Sequence, residues 1–265
     1  MKKLSLLLLA FVLVSVACQK LERKNPEDPS AAKEELQPTA KQKGFCIEWT
    51  SITCSICGHS GGPLIHKFQA DAPNSVNIAL HVNQSDKMKI ENNIYFGFND
   101  DRPSGGGIPS FWVADEKITT GDRNKMKDLI VGNAIAGIDY KYEKSGNKFT
   151  VTTKTKFFST GTGEYTMSVF LLEDGLDGSS NAPTGYKQAG GGAGYVHDYI
   201  MRKALGNVMG DVIATNPASG KVIDKTFTIE SNADWKDVYP VVVLWKHDAS
   251  ATIKYAYINA MRKKK

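Results

Sequence analysis

Beyond residue 17 this sequence lacks any apolar run long enough to cross a bilayer, which takes about 20 residues. Cysteine is scarce, with four in 265 residues at positions 18, 46, 54 and 57. That is too few for a disulfide-dense scaffold. Charge of one sign is also scarce. Lys and Arg number 33 against 28 Asp and Glu, a net charge of +5, and this mild excess gives no argument for nucleic acid. No Gly-Lys-Ser/Thr follows Gly190, Gly191, Gly192 and Gly194, so these glycines read as a flexible loop rather than a phosphate cradle. There is no internal repeat. What is present is ordinary for a folded protein: 41% hydrophobic and 23% charged residues, enough for a sizeable core. The length suggests one or two domains, at about 100–200 residues each.

The first residues have the layout of a secretory signal. Lys2 and Lys3 precede the apolar stretch Leu4–Val14, and small residues follow at Ser15 and Ala17. Ser15-Val16-Ala17-Cys18 resembles a lipobox, with Val14 where leucine is commonest. The resemblance implies cleavage after residue 17 and a lipid on Cys18, the chain's membrane attachment. Loss of Lys2 and Lys3 then takes the charge from +5 to +3. Residues 18–43 are rich in Lys, Glu, Gln, Ala and Pro, with Leu21 and Leu36 as the strong apolar residues. They are expected to form a flexible tether. The basic end Arg262–Lys265 is expected to be a solvated tail.

Order is expected from Gly44. Phe45–Trp49 reads as a strand, a helix follows Cys57, and Val76–Val82 reads as a second strand. A short helix is expected near Asp86–Asn93, a third strand from Ile108, and a helix over about Asp122–Ala136. This alternation predicts an α/β layer structure over residues 44–137. From about residue 138 the rhythm changes to period two. Phe149, Val151, Thr153, Thr155 and Phe157 share one strand face. Further strands fit Glu164–Leu172, Val222–Ile229, Tyr239–Lys246 and Thr252–Ile258, with a Gly-rich loop over Asp174–Gly194. An all-β domain of the immunoglobulin-like sandwich kind is expected over residues 138–265.

The chemistry concentrates at Cys54-Ser55-Ile56-Cys57, between a strand and a helix. Free N–H groups and the partial positive charge at a helix start favour a thiolate. The spacing suits Cys54 as nucleophile and Cys57, one turn on, as resolving thiol. Ile108-Pro109 opens the third strand 52 residues after Cys57. In thioredoxin-like folds a cis-proline in that place faces the cysteine pair. Two other readings of the pair stand beside this one. The cysteines could form a static disulfide, or join Cys46 and His59 in a zinc site. Zinc needs four N or S ligands, and Cys46 sits inside an expected buried strand, where it reads as a small hydrophobe. His59 either tunes the thiolate by its charge or is solvated at the helix start. His81, at a strand end, reads as structural. Trp112, Trp235 and Trp245 read as core aromatics.

Taken together, Glu48-Trp49-Thr50, the CxxC with Gly58-His59, Ile78–Val82, Ile108-Pro109, Val169–Gly175 and Tyr195–Arg202 resemble the outer membrane protein twenty-eight-related family. These are thioredoxin-like outer-membrane lipoproteins of Bacteroidetes. The most distinctive part is Tyr-x-His-x-x-x-x-Arg after a Leu-x-Glu-Asp-Gly strand. The resemblance implies an outer-membrane lipoprotein with a thioredoxin-like domain and a β-rich C-terminal domain, with Cys54, Cys57 and Pro109 at its redox site, and it implies little about substrate. No cofactor is expected, and the cysteine pair with Pro109 and the export signal makes exported protein thiols or disulfides the expected partners. It assigns no chemistry to His197 and Arg202, which read as loop-ordering residues. Thr53 stands where a tryptophan often precedes the first cysteine. The competing reading is a binding or adhesion lipoprotein that uses the sandwich and keeps the disulfide as structure.

Overall fold

In the computed structural model, which describes residues 35–263, the apolar run Phe45–Thr50 forms β1, buried along its whole length. Its alternate residues enter different cores. Phe45, Ile47 and Trp49 pack with Ile94 and Phe98 of helix α2 (Asn92–Asn99). Cys46 packs with Leu64 and Phe68 of helix α1 (Gly62–Asp71), so Glu48 and Thr50 also face α1. Strand β2 (Val76–His81) runs parallel to β1, and β3 (Ser110–Val113) runs antiparallel on its other side. The hairpin strand β4 (Glu116–Ile118) and the five-residue helix α3 (Lys125–Leu129) follow. Helices on both faces of a strand pair explain why β1 and β2 carry so few polar residues.

The regular elements that follow are all strands. They comprise β5 (Ala136–Ser145), β6 (Lys148–Phe157), β7 (Glu164–Asp174), β8 (Leu176–Asp177), β9 (Val196–His197), β10 (Ile200–Ala204), β11 (Asp211–Thr215), β12 (Val222–Glu230), β13 (Asp237–His247) and β14 (Tyr255–Arg262). Strands β5, β6 and β12 form a three-stranded antiparallel sheet. Its buried face, with Phe149, Val151 and Phe157, packs on Val169 and Leu171 of β7 and Val242 and Leu244 of β13. The opposite faces of β7 and β13 supply Phe170, Leu172, Val241 and Val243 to the core that holds Trp49. Both strands are therefore covered on two sides, which accounts for their near-continuous apolar sequence.

The expected boundary near residue 138 marks a change of secondary structure but does not divide the protein into two bodies. One sheet runs β14-β13-β7-β10-β2-β1-β3-β4, with β11 also paired to β7. The seam is β10 against β2, where Ala79 N donates to Tyr199 O at 2.8 Å. The described residues from Leu36 onward form one compact unit.

Several local expectations are corrected. The last residues of the expected tether are packed: Leu36 is buried, Gln42 N donates to Gly132 O, and Lys43 N donates to Asn259 Oδ1. The helix expected at Asp86–Asn93 lies at Asn92–Asn99, because Asp86 is taken up by a buried turn beside β1. The helix expected over Asp122–Ala136 is confined to Lys125–Leu129, since residues 132–134 pair with the chain at residues 40–42. Arg262 is not part of a solvated tail but ends β14, its guanidinium 3.0 Å from Asp174 Oδ2. The signal segment 1–17 and Cys18 lie outside the described residues. Among those described, no helix is long and apolar enough to cross a membrane.

Candidate redox site

The three residues singled out for redox chemistry come together at one end of β1. Cys54 N donates to Ser51 O at 3.1 Å, which turns the chain out of the strand. Cys54 and Cys57 are joined by a disulfide with Cα atoms 5.2 Å apart. A π-helical turn, Cys57–Gly61, then feeds into α1. Cys57 N points at Cys54 Sγ from 3.1 Å, and Gly58 N donates to Cys54 O. The Ile108–Pro109 peptide is cis, and Cys54 Sγ lies 3.6 Å from Ile108 O. The two sulfurs are unlike in access, since Cys54 is partly exposed and Cys57 fully buried. An attacking thiolate must be reached by its target, whereas a resolving thiol needs only to reach its neighbour. The geometry therefore suits the order Cys54 first and Cys57 second. Ile56, between them, leaves its side chain largely exposed, and His59 is exposed. Cys46 is a free, buried thiol, raised well above its ordinary pKa by burial and by the nearby Glu48 carboxyl.

Sequence reasoning missed Glu48, although a lone acid inside the run FCIEWT was a visible signal. Its side chain is buried beneath the turn that follows Cys57, so close that a Cβ on Gly61 would overlap Oε1. Oε1 has no hydrogen-bond partner. Burial raises the carboxyl's pKa from 4.5 to about 8, against a smaller opposing hydrogen bond from Thr50. Tyr195 covers the same region from above, and its hydroxyl occupies the space that a side chain on Gly62 would need. Burial, then the charge of Glu48, pushes this phenol upward.

The segment before Cys54 is held by buried polar groups. Asp86 accepts from Ile52 N with both carboxylate oxygens, and His81 Nδ1 lies 3.1 Å from Asp86 Oδ2. His197 packs its ring 5.3 Å from that of His81 and bonds Tyr186 O through Nε2. Burial lowers its pKa to about 4, helped by the charge of His81. Arg202 pairs with Glu173 at 2.7 Å and stacks on Trp235. The Gly-rich loop between β8 and β9 reaches over to the cysteines, where Ala189 N donates to Ile52 O at 2.8 Å. A Cβ on Gly58 would stand 2.2 Å from Ala189 O. Gly58→Ala is therefore expected to lower stability by about 1–3 kcal/mol, the range for an overpacked interior. Urea unfolding of the two proteins checks this, and equal midpoints would show that the loop yields freely.

The site's geometry stands beside a family match. Residues 112–262 match the model of the family described as Outer membrane protein Omp28. The chain belongs to the Omp28 family. The segment matched by the Omp28 model holds Tyr195, His197, Arg202 and the Gly-rich loop, and begins after Cys54, Cys57 and Pro109. The family described as an outer membrane protein is thus read from the strand-rich part of the chain, and the cysteine pair stands on the geometry above. Among solved structures, HBP35 of Porphyromonas gingivalis is similar, with 18% identity, a TM-score of 0.67, and coverage of 86% of this chain and 76% of that one. At that identity the Omp28 chain shares a fold with it. No curated protein matches.

Proposed function

We propose that this chain is a cell-envelope lipoprotein that exchanges thiols and disulfides with exported proteins. The observation that carries the reading is the pairing of a reachable Cys54 sulfur, beside Ile108 O and the cis Pro109, with a fully buried Cys57 behind it. The sequence β1, CxxC, α1, β2 and Pro109 ahead of β3 supports a thioredoxin-like reading of residues 44–137. The three-stranded sheet facing β7 and β13 supports a sandwich-like, immunoglobulin-related reading of the later strands. Attachment to the outer membrane through a lipid on Cys18 is in keeping with the family's description.

The exchange balances as follows when the protein starts reduced. The Cys54 thiolate attacks one sulfur of a partner disulfide, forms a mixed disulfide and expels a partner thiolate. Cys57, deprotonated, attacks Cys54 Sγ and expels the second partner sulfur. The two protons lost by Cys54 and Cys57 end on the two partner thiols, and the two electrons pass with them. The reverse sequence oxidises a partner dithiol. Glu48, which holds its proton up to about pH 8, is a buried acid available to exchange a proton under this turn. The exposed Ile56 offers an apolar contact to an unfolded partner segment.

A redox titration of the protein, with alkylation and mass analysis of the Cys54–Cys57 state, tests the reading. A reversible two-electron couple within about −120 to −270 mV is expected, the span of exchange-active pairs. A couple below about −300 mV, or none, would place the disulfide among structural ones. One observation favours a binding role in that event. A cavity of about 410 Å³ is lined by Lys87, Glu173, Tyr186, Arg202 and Trp235.

A further inference from the structure

We infer that Gln188, supplied by the Gly-rich loop of the strand-rich segment, is a positioning residue of the Cys54–Cys57 pair. The inference rests on the exchange reading above and adds a residue that lies 134 positions from Cys54. Gln188 is 4% exposed. Its amide nitrogen is 3.0 Å from Ser51 O and 3.0 Å from Cys54 O, with Ile52 O and Ala189 O at 3.5 and 3.2 Å. Four carbonyl oxygens around one atom fix that atom as the donor, because the amide oxygen in the same place would meet only lone pairs. Its Oε1 is buried without a partner. A buried unsatisfied acceptor costs stability, so the side chain is held there by what its nitrogen does.

The loop is built to keep Gln188 in place. The β8–β9 ladder closes its base, and Gln188 N donates to Gly178 O at 2.9 Å. Lys87 N donates to Gly185 O at 3.0 Å, beside the buried Asp86. Gly190, at φ +74°, passes so close to Ser55 O that a Cβ would overlap it. The carbonyls before the first cysteine and of Cys54 itself are thus held by the loop, while Asp86 holds the N–H of Ile52.

The clamp and the disulfide hold the same turn. The contacts of Gln188 with Ser51 O and Cys54 O are made with the Cys54–Cys57 bond closed. Opening that bond removes a constraint from the turn, so the clamp has its full strength in the disulfide form and at most that strength in the dithiol form. By linkage Gln188 favours the disulfide, and stabilising the oxidised form makes a pair more reducing. Removing the donor moves the equilibrium toward the dithiol.

The variant Gln188→Met keeps the length and apolar volume but donates nothing, and Gln188→Ala removes the side chain. Each is equilibrated with glutathione or dithiothreitol buffers beside the unaltered protein, and the melting temperatures of the oxidised and reduced forms are recorded. The expected result is a shift of about tenfold toward the dithiol, which is about 30 mV less negative for two electrons. The oxidised form should also lose more melting temperature than the reduced form. An unchanged potential, with both forms losing equally or neither losing, overturns the inference and leaves Gln188 a structural prop. If neither variant folds, side-chain amide exchange of Gln188 in the unaltered protein decides. Slow exchange in the disulfide form that quickens on reduction supports the clamp, and exchange that is fast in the disulfide form or equal in the two forms overturns it. The unaltered protein's own potential tests the exchange reading separately, so the two can fail independently.

Discussion

Replacing Cys54 with serine is expected to reduce thiol–disulfide exchange to the rate of the buffer alone, whereas replacing Cys57 with serine is expected to stop it half-way. Cys54 has the reachable sulfur, beside Ile108 O. A serine hydroxyl in its place provides no thiolate to attack with. In Cys57→Ser the first step proceeds, but the resolving thiol is gone, so the mixed disulfide on residue 54 accumulates. Cys46 does not confuse the result, because it is fully buried and its thiol is pushed well above the ordinary range. Incubation with a disulfide-containing unfolded protein, followed by mass analysis, reads both variants. Adducts on Cys57→Ser and none on Cys54→Ser are expected. Equal adducts on the two, or undiminished turnover by Cys54→Ser, would show that the order of attack assigned from burial is wrong.

Glu48→Gln is expected to make the protein more stable above neutral pH and to flatten its stability curve between about pH 4.5 and 8. In the folded protein the buried carboxyl keeps its proton up to about pH 8, while the unfolded chain releases it near 4.5. Within that window the folded state binds more protons, so stability falls as pH rises. Below it both states are protonated and the contribution is constant. Above it the folded state holds an ionised carboxyl that is buried away from water. At about 1.4 kcal/mol per pH unit, the difference reaches a few kcal/mol by pH 8. Glutamine has nearly the same shape and never ionises. Urea titrations at pH 4.5, 6 and 8 should show the two proteins drawing apart toward high pH, with the variant ahead. Parallel curves would mean that Glu48 ionises normally and is reached by water.

Much of the fold was legible because it is written in short-range rhythm. The strict alternation through Phe149, Val151 and Phe157 placed β6, whose outer face stays partly wet. The run Phe45–Trp49 placed β1, and the CxxC between that run and an amphipathic stretch placed the cysteines at a strand-to-helix turn. The errors lie where tertiary partners override local pattern. Residues 36–43 are polar enough to read as a tether, yet their backbone finds partners in residues 132–134 and Asn259. The stretch from Asp86 looked helical, but the Asp86 carboxylate serves Ile52 N and His81 instead. Strand β10 is five residues long and interrupted by a bulge, too short for any rhythm to show, although it joins β2 to β7.

The sequence by itself determined the family resemblance, the strand-rich character of the later residues, and the identity of Cys54, Cys57 and Pro109 as one candidate site. Each depends on residues close together in the chain, where spacing and composition carry the information. Only the tertiary structure decided that both segments share one sheet. The same holds for the buried carboxyl of Glu48 beneath the cysteine turn, and for the amide of Gln188 that holds that turn. The physical reason is burial. A carboxyl or an amide has its ordinary chemistry until distant strands and loops remove the water around it, and which ones do so is set by pairing between residues more than a hundred positions apart.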